Sequence, residues 1–323
     1  MILLDAASLQ VEAAQCQRRS GGRRGEQTQA PLYTLDDALH AFDFFDGDIG
    51  YSATFAVAEG VHAQFLDAGH ILGSASVLLA LDDGTIQRSM LFSGDLGSPG
   101  KPILRDPVPA PVADYVVMET TYGDRMHRKL PDSIEELYRS IRETSARRGN
   151  VIIPTFALER AQEVLYMLHQ GLRDGMIPPH VRIFLDSPMA ISATEIIRRH
   201  PECYDNDFLQ ELRGGDPFDM PGLHFTRDTS ASMAINSIDS GAVILAGSGI
   251  CTGGRVRDHL KHNLWRDRCS VVFVGYAAKG TLARAIIDGA SSVRVFGEKI
   301  MLRAKVWTIN GFSAHADQAE LLA

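Results

Sequence analysis

The sequence predicts an α/β protein in which a β-rich domain is interrupted by an inserted parallel α/β domain. Short β-like runs with two-residue alternation occupy residues 61–93, and alternation of this kind returns after residue 291. Between them, continuous apolar runs alternate with helical patterns, which is typical of a parallel sheet covered on both faces. We therefore expect a first part of the β-rich domain at 1–123, the insertion at 124–290, and the return of the β-rich domain at 291–323.

Composition indicates a folded chain of about two average domains. It has 323 residues, of which 45% are apolar and 22% charged. The net charge of -8 excludes a general polyanion-binding coat, so any nucleic-acid site must be local. The four cysteines form no C-x-x-C pair, which argues against a disulfide framework and a thiolate zinc site. No apolar run approaches membrane-spanning length, and we expect a cytoplasmic protein without membrane contact.

In the β-rich part, VHAQFL, SVLLAL and TIQRSMLF predict antiparallel strands, with Asp82-Asp83-Gly84 as a turn. DYVVMETTYG predicts one more strand. Residues 2–14 have helical spacing, and the polar stretch that follows contains four arginines. These arginines could contact phosphate, although a solvated loop explains them equally well.

In the insertion, Ser133 and Glu136 form a capping-box pattern that predicts a helix ending at Gly149. The strand candidates are VIIPTF, VRIFLD, AVILAG and SVVFVG. Each is followed by a helical pattern, in order LERAQEVLYMLHQGL, AISATEIIRRH, RVRDHLKHNLW and TLARAIIDG.

Four polar side chains stand in loops at predicted strand ends or near the C-terminus. His70 lies in AGHILGS, Asp95 in FSGDLG, Glu119 in ETTYGD and His315 in SAHADQ. Each has an ordinary structural explanation: a hydrogen-bonded histidine, an Asx-turn, or a cap of a loop or helix. Metal or phosphate chemistry is the alternative, and a single motif does not decide between them.

A glycine-rich loop, AGSGICTGGR, resembles loops whose backbone N–H groups bind phosphate at a helix N-terminus. Gly247 and Gly249 match the first two positions of the dinucleotide fingerprint, but Thr252 occupies the third. What remains is a loop at the carboxyl end of a parallel strand, where Arg255 could pair with a phosphate.

Taken in order, the chain resembles the metallo-β-lactamase nucleases of the β-CASP group, and most closely the prokaryotic mRNA 3′-end processing endonucleases. The strings that carry this resemblance span nearly the whole sequence: AGHILGSA, FSGDLG, ETTYGDR, PTFALERAQEVLY, DSPMAISATEI, GICTGGR, FVGYAAKGTLAR and GFSAHADQ. The resemblance implies an αββα sandwich, incomplete here, with an inserted β-CASP domain that clamps single-stranded RNA against two zinc ions.

The resemblance also implies roles for individual residues. His70 would ligate zinc and Asp95 would bridge both ions, while His315 would face the scissile phosphate with Glu119 in support. The remaining implied positions would bind substrate: Thr155, Arg160, Ser187, Gly253, Gly254, Arg255 and Ser313. Arg160, Arg255 and Lys279 are expected to form a basic groove. A homodimer is a further implied partner.

One departure from the family pattern concerns the metal. No H-x-H sequence occurs in the chain, so the H-x-H-x-D-H signature is absent, as is the last family histidine. His70 and Asp95 alone fall short of the three protein ligands that a zinc ion normally takes. We therefore expect a chain truncated at both ends, inactive by itself.

Three functions stay open. The first is a zinc-dependent endoribonuclease, with 5′-exonuclease activity as a variant. The second is a non-catalytic RNA-binding scaffold of the same family, which the absent ligand signature favours. The third, a hydrolase of small esters or thioesters, is disfavoured because a small substrate needs no inserted clamp domain.

Overall fold

The computed structural model describes residues 33–45 and 47–323, which belong to two units. In the first unit, which ends at Gly50, helix α1 (Leu35–His40) leads into a 3-10 helix (Ala41–Phe44). A capping box starts α1, because the Thr34 hydroxyl accepts from the Asp37 N–H and the Asp37 carboxylate accepts from the Thr34 N–H. The predicted N-terminal helix and the arginine-bearing loop lie outside the described residues.

The second unit, Tyr51–Ala323, opens with a five-stranded sheet in the order β1-β2-β3-β4-β5. Its strands are β1 (Thr54–Ala58), β2 (Val61–Asp67), β3 (Ala75–Asp82), β4 (Gln87–Phe92) and β5 (Tyr115–Val117). The predicted antiparallel pairing of β2, β3 and β4 is confirmed, and β5 adds to β4 in parallel. At the predicted turn, Asp83 Oδ1 accepts from the N–H groups of Thr85 and Ile86.

A six-stranded sheet follows, in the order β13-β10-β6-β9-β7-β8, and every neighbouring pair is parallel. Its strands are β6 (Val151–Pro154), β7 (Arg182–Leu185), β8 (Leu223–Phe225), β9 (Ala242–Ala246), β10 (Ser270–Phe273) and β13 (Lys305–Thr308). The four strands predicted from apolar runs are all present. The prediction of a parallel α/β insertion is therefore confirmed.

Helices cover both faces of this sheet. They are α2 (Leu130–Ala146), α3 (Arg160–Arg173), α4 (Pro188–Ile197), α5 (Asn206–Leu212), α6 (Thr229–Ile235), α7 (Val256–Asn263) and α8 (Leu282–Ile287). In β6, Ile153 packs into the core beneath α2 and α3, whereas Ile152 packs into the core beneath α7 and α8. Successive strand residues point to opposite faces of the sheet, so separate cores form on the two faces. No helix among the described residues is long and apolar enough to cross a bilayer.

Helix α2 begins one turn earlier than the capping-box pattern predicts. It starts at Leu130, with Pro131 in its first turn, and Ser133 is fully buried inside it. Pro131 marks this earlier start, and Ser133 instead packs against Gly311, where a Cβ would lie only 2.1 Å from Ser133 Oγ. Ser133 is small so that the backbone near His315 can pack against α2, and the predicted cap at Ser133 is wrong.

The stretch after residue 291 also departs from expectation. Strands β11 (Ser292–Val295) and β12 (Glu298–Met301) pair with each other as an antiparallel ribbon. Strand β13 then pairs in parallel with β10, so it does not rejoin the first sheet as the alternation predicts. Trp307 packs into one core and Val306 against the other, because β13 is an edge strand covered on both faces. The chain returns to the first sheet only at His315.

Leu165 on α3 tests the larger core, because its side chain is fully buried there. Leu165→Ala is expected to lower the free energy of unfolding by about 2–5 kcal/mol, since it removes apolar contacts and leaves a cavity. Urea unfolding measures this. The control is Met233→Ala at an exposed position of α6, which should change the stability by less than about 0.5 kcal/mol. Equal effects of the two variants would contradict the assigned core.

Candidate active site

His70 lies in the loop that follows β2. Ser74 Oγ accepts hydrogen bonds from the N–H groups of His70 and Ile71, and Asp67 Oδ1 accepts from the Gly69 N–H. These side-chain acceptors replace the strand pairing that the backbone loses at the end of β2. The loop is thereby held in one conformation, with the His70 side chain only 10% exposed.

Asp95 lies in the loop after β4, and Gly97 brings this loop against the His70 loop. The Gly97 N–H donates to the Ala68 carbonyl at 2.8 Å. A Cβ on residue 97 would lie 1.8 Å from the Gly69 carbonyl oxygen, so only glycine allows this approach. The glycine that the FSGDLG motif supplies is thus a packing requirement.

His315 reaches the same place from the C-terminal part of the chain. The Ala316 N–H donates to the Leu96 carbonyl at 2.7 Å, and His315 forms a β-bridge with Gly97. Asp317 then caps α9 (Gln318–Leu321) in a capping box with Glu320. The helix-cap interpretation of SAHADQ is therefore confirmed for Asp317, and the cap leaves the His315 side chain free to face the two loops.

These three loops bring the ligand atoms of His70, Asp95 and His315 within 4.8 Å of one another. His70 Nε2 lies 3.8 Å from Asp95 Oδ2, and the two imidazole rings are 4.4 Å apart between centroids. Within residues 33–45 and 47–323, no second cluster of His, Cys, Asp or Glu comes together in this way.

The donor set fits a zinc ion. Two imidazoles and one carboxylate are ligands that catalytic zinc sites use. His70 Nδ1 is buried and has no hydrogen-bond partner among the described residues, which is an unusual cost for an imidazole that serves packing alone. Burial lowers the pKa of His70, and the neighbouring His315 lowers it further. The neutral imidazole that a metal ion requires is therefore favoured.

Glu119 holds His315 from the opposite side. His315 Nδ1 lies 3.0 Å from Glu119 Oε2, and the Leu96 N–H donates to Glu119 Oε1 at 2.5 Å. Burial raises the pKa of Glu119, but the hydrogen bonds from His315, Thr121 and Leu96 outweigh it and lower the pKa to about 2. The carboxylate is therefore charged at neutral pH.

Two aromatic residues of the site were missed by sequence reasoning. The His127 side chain donates through Nε2 to the His315 carbonyl at 2.9 Å, and the backbone N–H of His127 donates to Asp317 Oδ2. Tyr122 packs against His127 and lies 6.1 Å from the His315 ring centroid. Their positions within ETTYGDRMHR, directly after Glu119, are the only sequence signal for this role.

The predicted substrate-binding residues of the insertion meet at the carboxyl edge of the parallel sheet. A Cβ on Gly247 would lie 3.7 Å from both Ser187 Oγ and the Thr155 carbonyl oxygen, so three loops converge there. Ser187 Oγ caps α4 by accepting from the Ala190 N–H, and Thr155 Oγ1 is buried without a partner among the described residues. Gly253 and Gly254 complete the glycine loop that leads into α7.

Arg255 belongs to a buried network centred on Asp186. Arg255 donates to Asp186 Oδ1 at 2.7 Å, while Ser232 Oγ and His259 Nε2 each lie 2.6 Å from Asp186 Oδ2. Burial raises the pKa of Asp186, but hydrogen bonds from His259, Ser232 and Arg255 outweigh this and lower the pKa below its usual value. No sequence pattern indicated His259, which lies on α7, or Ser232, which lies on α6.

The remaining predicted residues are placed differently. Arg160 is only 8% exposed and forms an ion pair with Glu163, so its guanidinium is sequestered from solvent. Lys279 is exposed in the loop after β10. Ser313 is buried, and its Oγ accepts from the His315 N–H at 3.3 Å. The basic groove of Arg160, Arg255 and Lys279 remains a prediction.

Comparison with known proteins agrees with this architecture. The Beta-Casp domain family matches residues 161–286, which lie in the inserted parallel domain. The fold and the site thus define a metallo-β-lactamase-type protein with an inserted β-CASP domain. Ribonuclease TTHA0252 of Thermus thermophilus is 43% identical over 301 residues, which cover 89% of this chain and 68% of that protein. The chain therefore belongs to the β-CASP ribonuclease family.

More distant relatives are named as transcription termination factors. FttA of Methanocaldococcus jannaschii is 30% identical and FttA of Methanosarcina mazei is 33% identical, each over 85% of this chain. The chain spans 44% of the length of both archaeal proteins. The resemblance and the fold class predicted from the sequence are confirmed, while the predicted domain boundaries stay predictions.

Gly97→Ala should destabilise the protein by about 1–3 kcal/mol, because the new Cβ overlaps the Gly69 carbonyl and the two loops must separate. Thermal unfolding measures this. Gly275→Ala is the matched control, because a Cβ there has no neighbour within 4 Å. An unchanged melting temperature for Gly97→Ala would show that the loop contact is dispensable.

Asp186→Asn should lower the free energy of unfolding by about 3 kcal/mol at neutral pH, because it removes the charge that Arg255 and His259 contact. A carboxylate whose folded-state pKa is lowered stabilises the protein above its unfolded pKa and loses this effect as the pH falls. The stability difference from wild type should therefore narrow below about pH 5. Urea unfolding at several pH values measures it.

Glu195→Gln is the control for Asp186→Asn, because the Glu195 ion pair with Arg227 is half-exposed and should contribute less than about 1 kcal/mol. The lowered pKa of Asp186 would be contradicted by one result. In that result, the free energies of unfolding of Asp186→Asn and wild type differ by the same amount from pH 7 down to the lowest pH at which both fold.

Proposed function

We propose that this protein hydrolyses phosphodiester bonds of single-stranded RNA at the site formed by His70, Asp95, Glu119 and His315, in contrast to the inactivity that the absent H-x-H-x-D-H signature predicts. The observation that carries the proposal is the convergence of the His70, Asp95 and His315 ligand atoms within 4.8 Å, with His315 hydrogen-bonded to the charged Glu119 carboxylate. Membership of a family that includes a named ribonuclease supports RNA as the substrate.

Zinc is the metal that these ligand types favour, and His70 and Asp95 would contribute two of the three or more protein ligands that a zinc ion normally takes. When bound, zinc supplies a nucleophilic water at neutral pH and stabilises the charge that develops at phosphorus. The half-exposed Asp95 side chain leaves the cluster open on one side, so a phosphate group can reach it from solvent.

His315 would act on the phosphate. Its Nδ1 is hydrogen-bonded to Glu119, which fixes the ring orientation and leaves Nε2 for the substrate. When Nε2 carries a proton, it can donate to a phosphate oxygen or protonate the leaving oxygen. Glu119 would keep the imidazole in place and compensate its charge, and Ser313 would hold the backbone before His315.

The carboxyl edge of the parallel sheet would bind the RNA backbone. The N–H groups of Gly254 and Arg255 donate to no described residue and lie just before α7, where an anion is favoured. Gly253 keeps this loop free of a side chain, and Thr155 and Ser187 lie at the neighbouring strand ends. The Arg255 guanidinium, held by Asp186, would set the position of the loop.

We place this reaction in the cytoplasm, because Cys203, Cys251 and Cys269 are free thiols that a reducing compartment preserves. The resemblance also implies a homodimer, and equilibrium sedimentation of the purified chain tests that hypothesis. Endonucleolytic cleavage is the mode that the resemblance favours, with 5′-exonuclease activity as the variant.

A second candidate function is RNA binding without hydrolysis. The observation that favours it is the number of ligand groups: the described residues bring together three, fewer than two zinc ions require. The two functions differ in a direct way, since a scaffold would bind RNA and leave it intact.

His315→Gln is expected to reduce the rate of RNA cleavage by about 10²–10⁴-fold, because it removes proton transfer and the contact with Glu119. Cleavage of an end-labelled single-stranded RNA in the presence of zinc measures the rate, and a chelator should abolish it. The control is His62→Gln at an exposed position of β2, which should cleave like wild type.

Each outcome of this assay is informative. If the wild-type protein binds RNA at saturating zinc but does not cleave it, the proposed hydrolysis is wrong and RNA binding without hydrolysis is supported. Equal cleavage by His315→Gln and wild type would remove His315 from the mechanism. Zinc content after dialysis, measured by elemental analysis on wild type and His70→Ala, separately tests whether His70 holds the metal.

A further inference from the structure

Two large aromatic side chains are exposed at the carboxyl edge of the parallel sheet. Tyr276, in the loop after β10, is 53% exposed, and Phe156, in the loop after β6, is 48% exposed. Strands β10 and β6 are neighbours in the sheet. Because neighbouring strands are about 4.8 Å apart, the two loops leave the sheet side by side.

Both rings pack against other parts of the protein. Tyr276 meets Tyr122 in an edge-on arrangement, with centroids 6.4 Å apart and planes at 80°. Phe156 lies against the backbone of Gly249, where a Cβ would stand 2.9 Å from Phe156 Cε2. Each ring is therefore supported from the protein side and accessible from the solvent side. Such preorganised surfaces lose little conformational entropy when a flat ligand binds.

The position of Tyr276 points to the kind of ligand. Tyr122, which contacts Tyr276, also lies 6.1 Å from the His315 ring between centroids. Tyr122 therefore connects the exposed Tyr276 ring with His315 of the candidate active site. The Arg125 guanidinium, which pairs with the Asp124 carboxylate, stands 5.7 Å from the Tyr122 ring centroid on the same patch. Aromatic rings combined with arginine are the surface that single-stranded nucleic acids use, since every base has a flat apolar face.

We propose that Tyr276 binds an unpaired base of the RNA strand by stacking, next to the phosphate that is cleaved, and that Phe156 offers a second stacking surface. This inference rests on the proposed function and deepens it. A paired base has its faces covered by its neighbours in the duplex, so the site selects single-stranded RNA without reading its sequence. Tyr276 is thus a substrate-binding residue that determines specificity for unpaired strands.

Binding of two strands of equal length tests the proposal. One is a short single-stranded oligoadenylate with hydrolysis-resistant phosphorothioate linkages, and the other has the same backbone without bases. Fluorescence anisotropy in the presence of zinc measures both affinities for the wild-type chain and for Tyr276→Leu. Tyr276→Leu should weaken binding of the oligoadenylate by about 10-fold and leave binding of the abasic strand unchanged.

Two further variants complete the test. Tyr276→Phe keeps the ring and should bind both strands like wild type. Trp265→Leu removes an equally exposed aromatic residue, 54% exposed, from the loop before β10, at the opposite edge of the sheet, and should change neither affinity. Unchanged binding of the abasic strand by Tyr276→Leu also shows that this variant is folded.

The results separate failure of the inference from failure of the proposed function. If Tyr276→Leu affects both strands equally, or neither, stacking at Tyr276 is wrong while RNA binding stands. If the wild-type chain binds neither strand, RNA is not its ligand, and both proposals are wrong.

Discussion

The candidate site depends on one backbone segment, Leu96 and Gly97. The Gly97 N–H donates to the Ala68 carbonyl in the His70 loop, and the Leu96 carbonyl accepts from the Ala316 N–H beside His315. The Leu96 N–H also holds Glu119. The backbone of these two residues thus joins its own loop to three other parts of the chain: the His70 loop, the segment beside His315, and Glu119. Peptide groups can do this only where no side chain intervenes, which is why residue 97 is glycine.

The inserted domain contributes the other half of the site through the geometry of parallel strands. All carboxyl ends of its six strands lie at one edge, so the loops after β6, β7, β9 and β10 meet there without any special arrangement. Burial then determines what each charged residue does. Arg160 and Arg255 both follow strands of this sheet, yet one is sequestered by Glu163 and the other is held by Asp186 at the glycine loop. The two arginines are therefore held in different environments, although both follow strands of the same sheet.

Much of the fold was predictable because periodicity reports burial directly. The apolar runs of β6, β7, β9 and β10 are buried on both faces, and the alternation of β2 to β4 reflects a half-buried sheet. Prediction failed where distant packing overrides a local signal. Ser133 looks like a cap but packs inside the helix against Gly311, and β13 places the adjacent Val306 and Trp307 against different cores, although the alternation predicted a half-buried strand. Neither contact is visible in a window of neighbouring residues.

The sequence by itself determined the kinds of chemistry available: His70, Asp95 and Glu119 stand at strand ends and His315 near the C-terminus, in an order that resembles one family. Only the tertiary structure decided that they meet, that His70 Nδ1 is buried without a partner in the described part of the chain, and that Glu119 keeps its charge. It also decided the roles of His127, Tyr122 and His259, which no motif singled out. The physical reason is that ligand geometry, desolvation and hydrogen bonding depend on distances between residues far apart in sequence, such as Glu119 and His315, which are 196 positions apart, whereas sequence patterns report only neighbours.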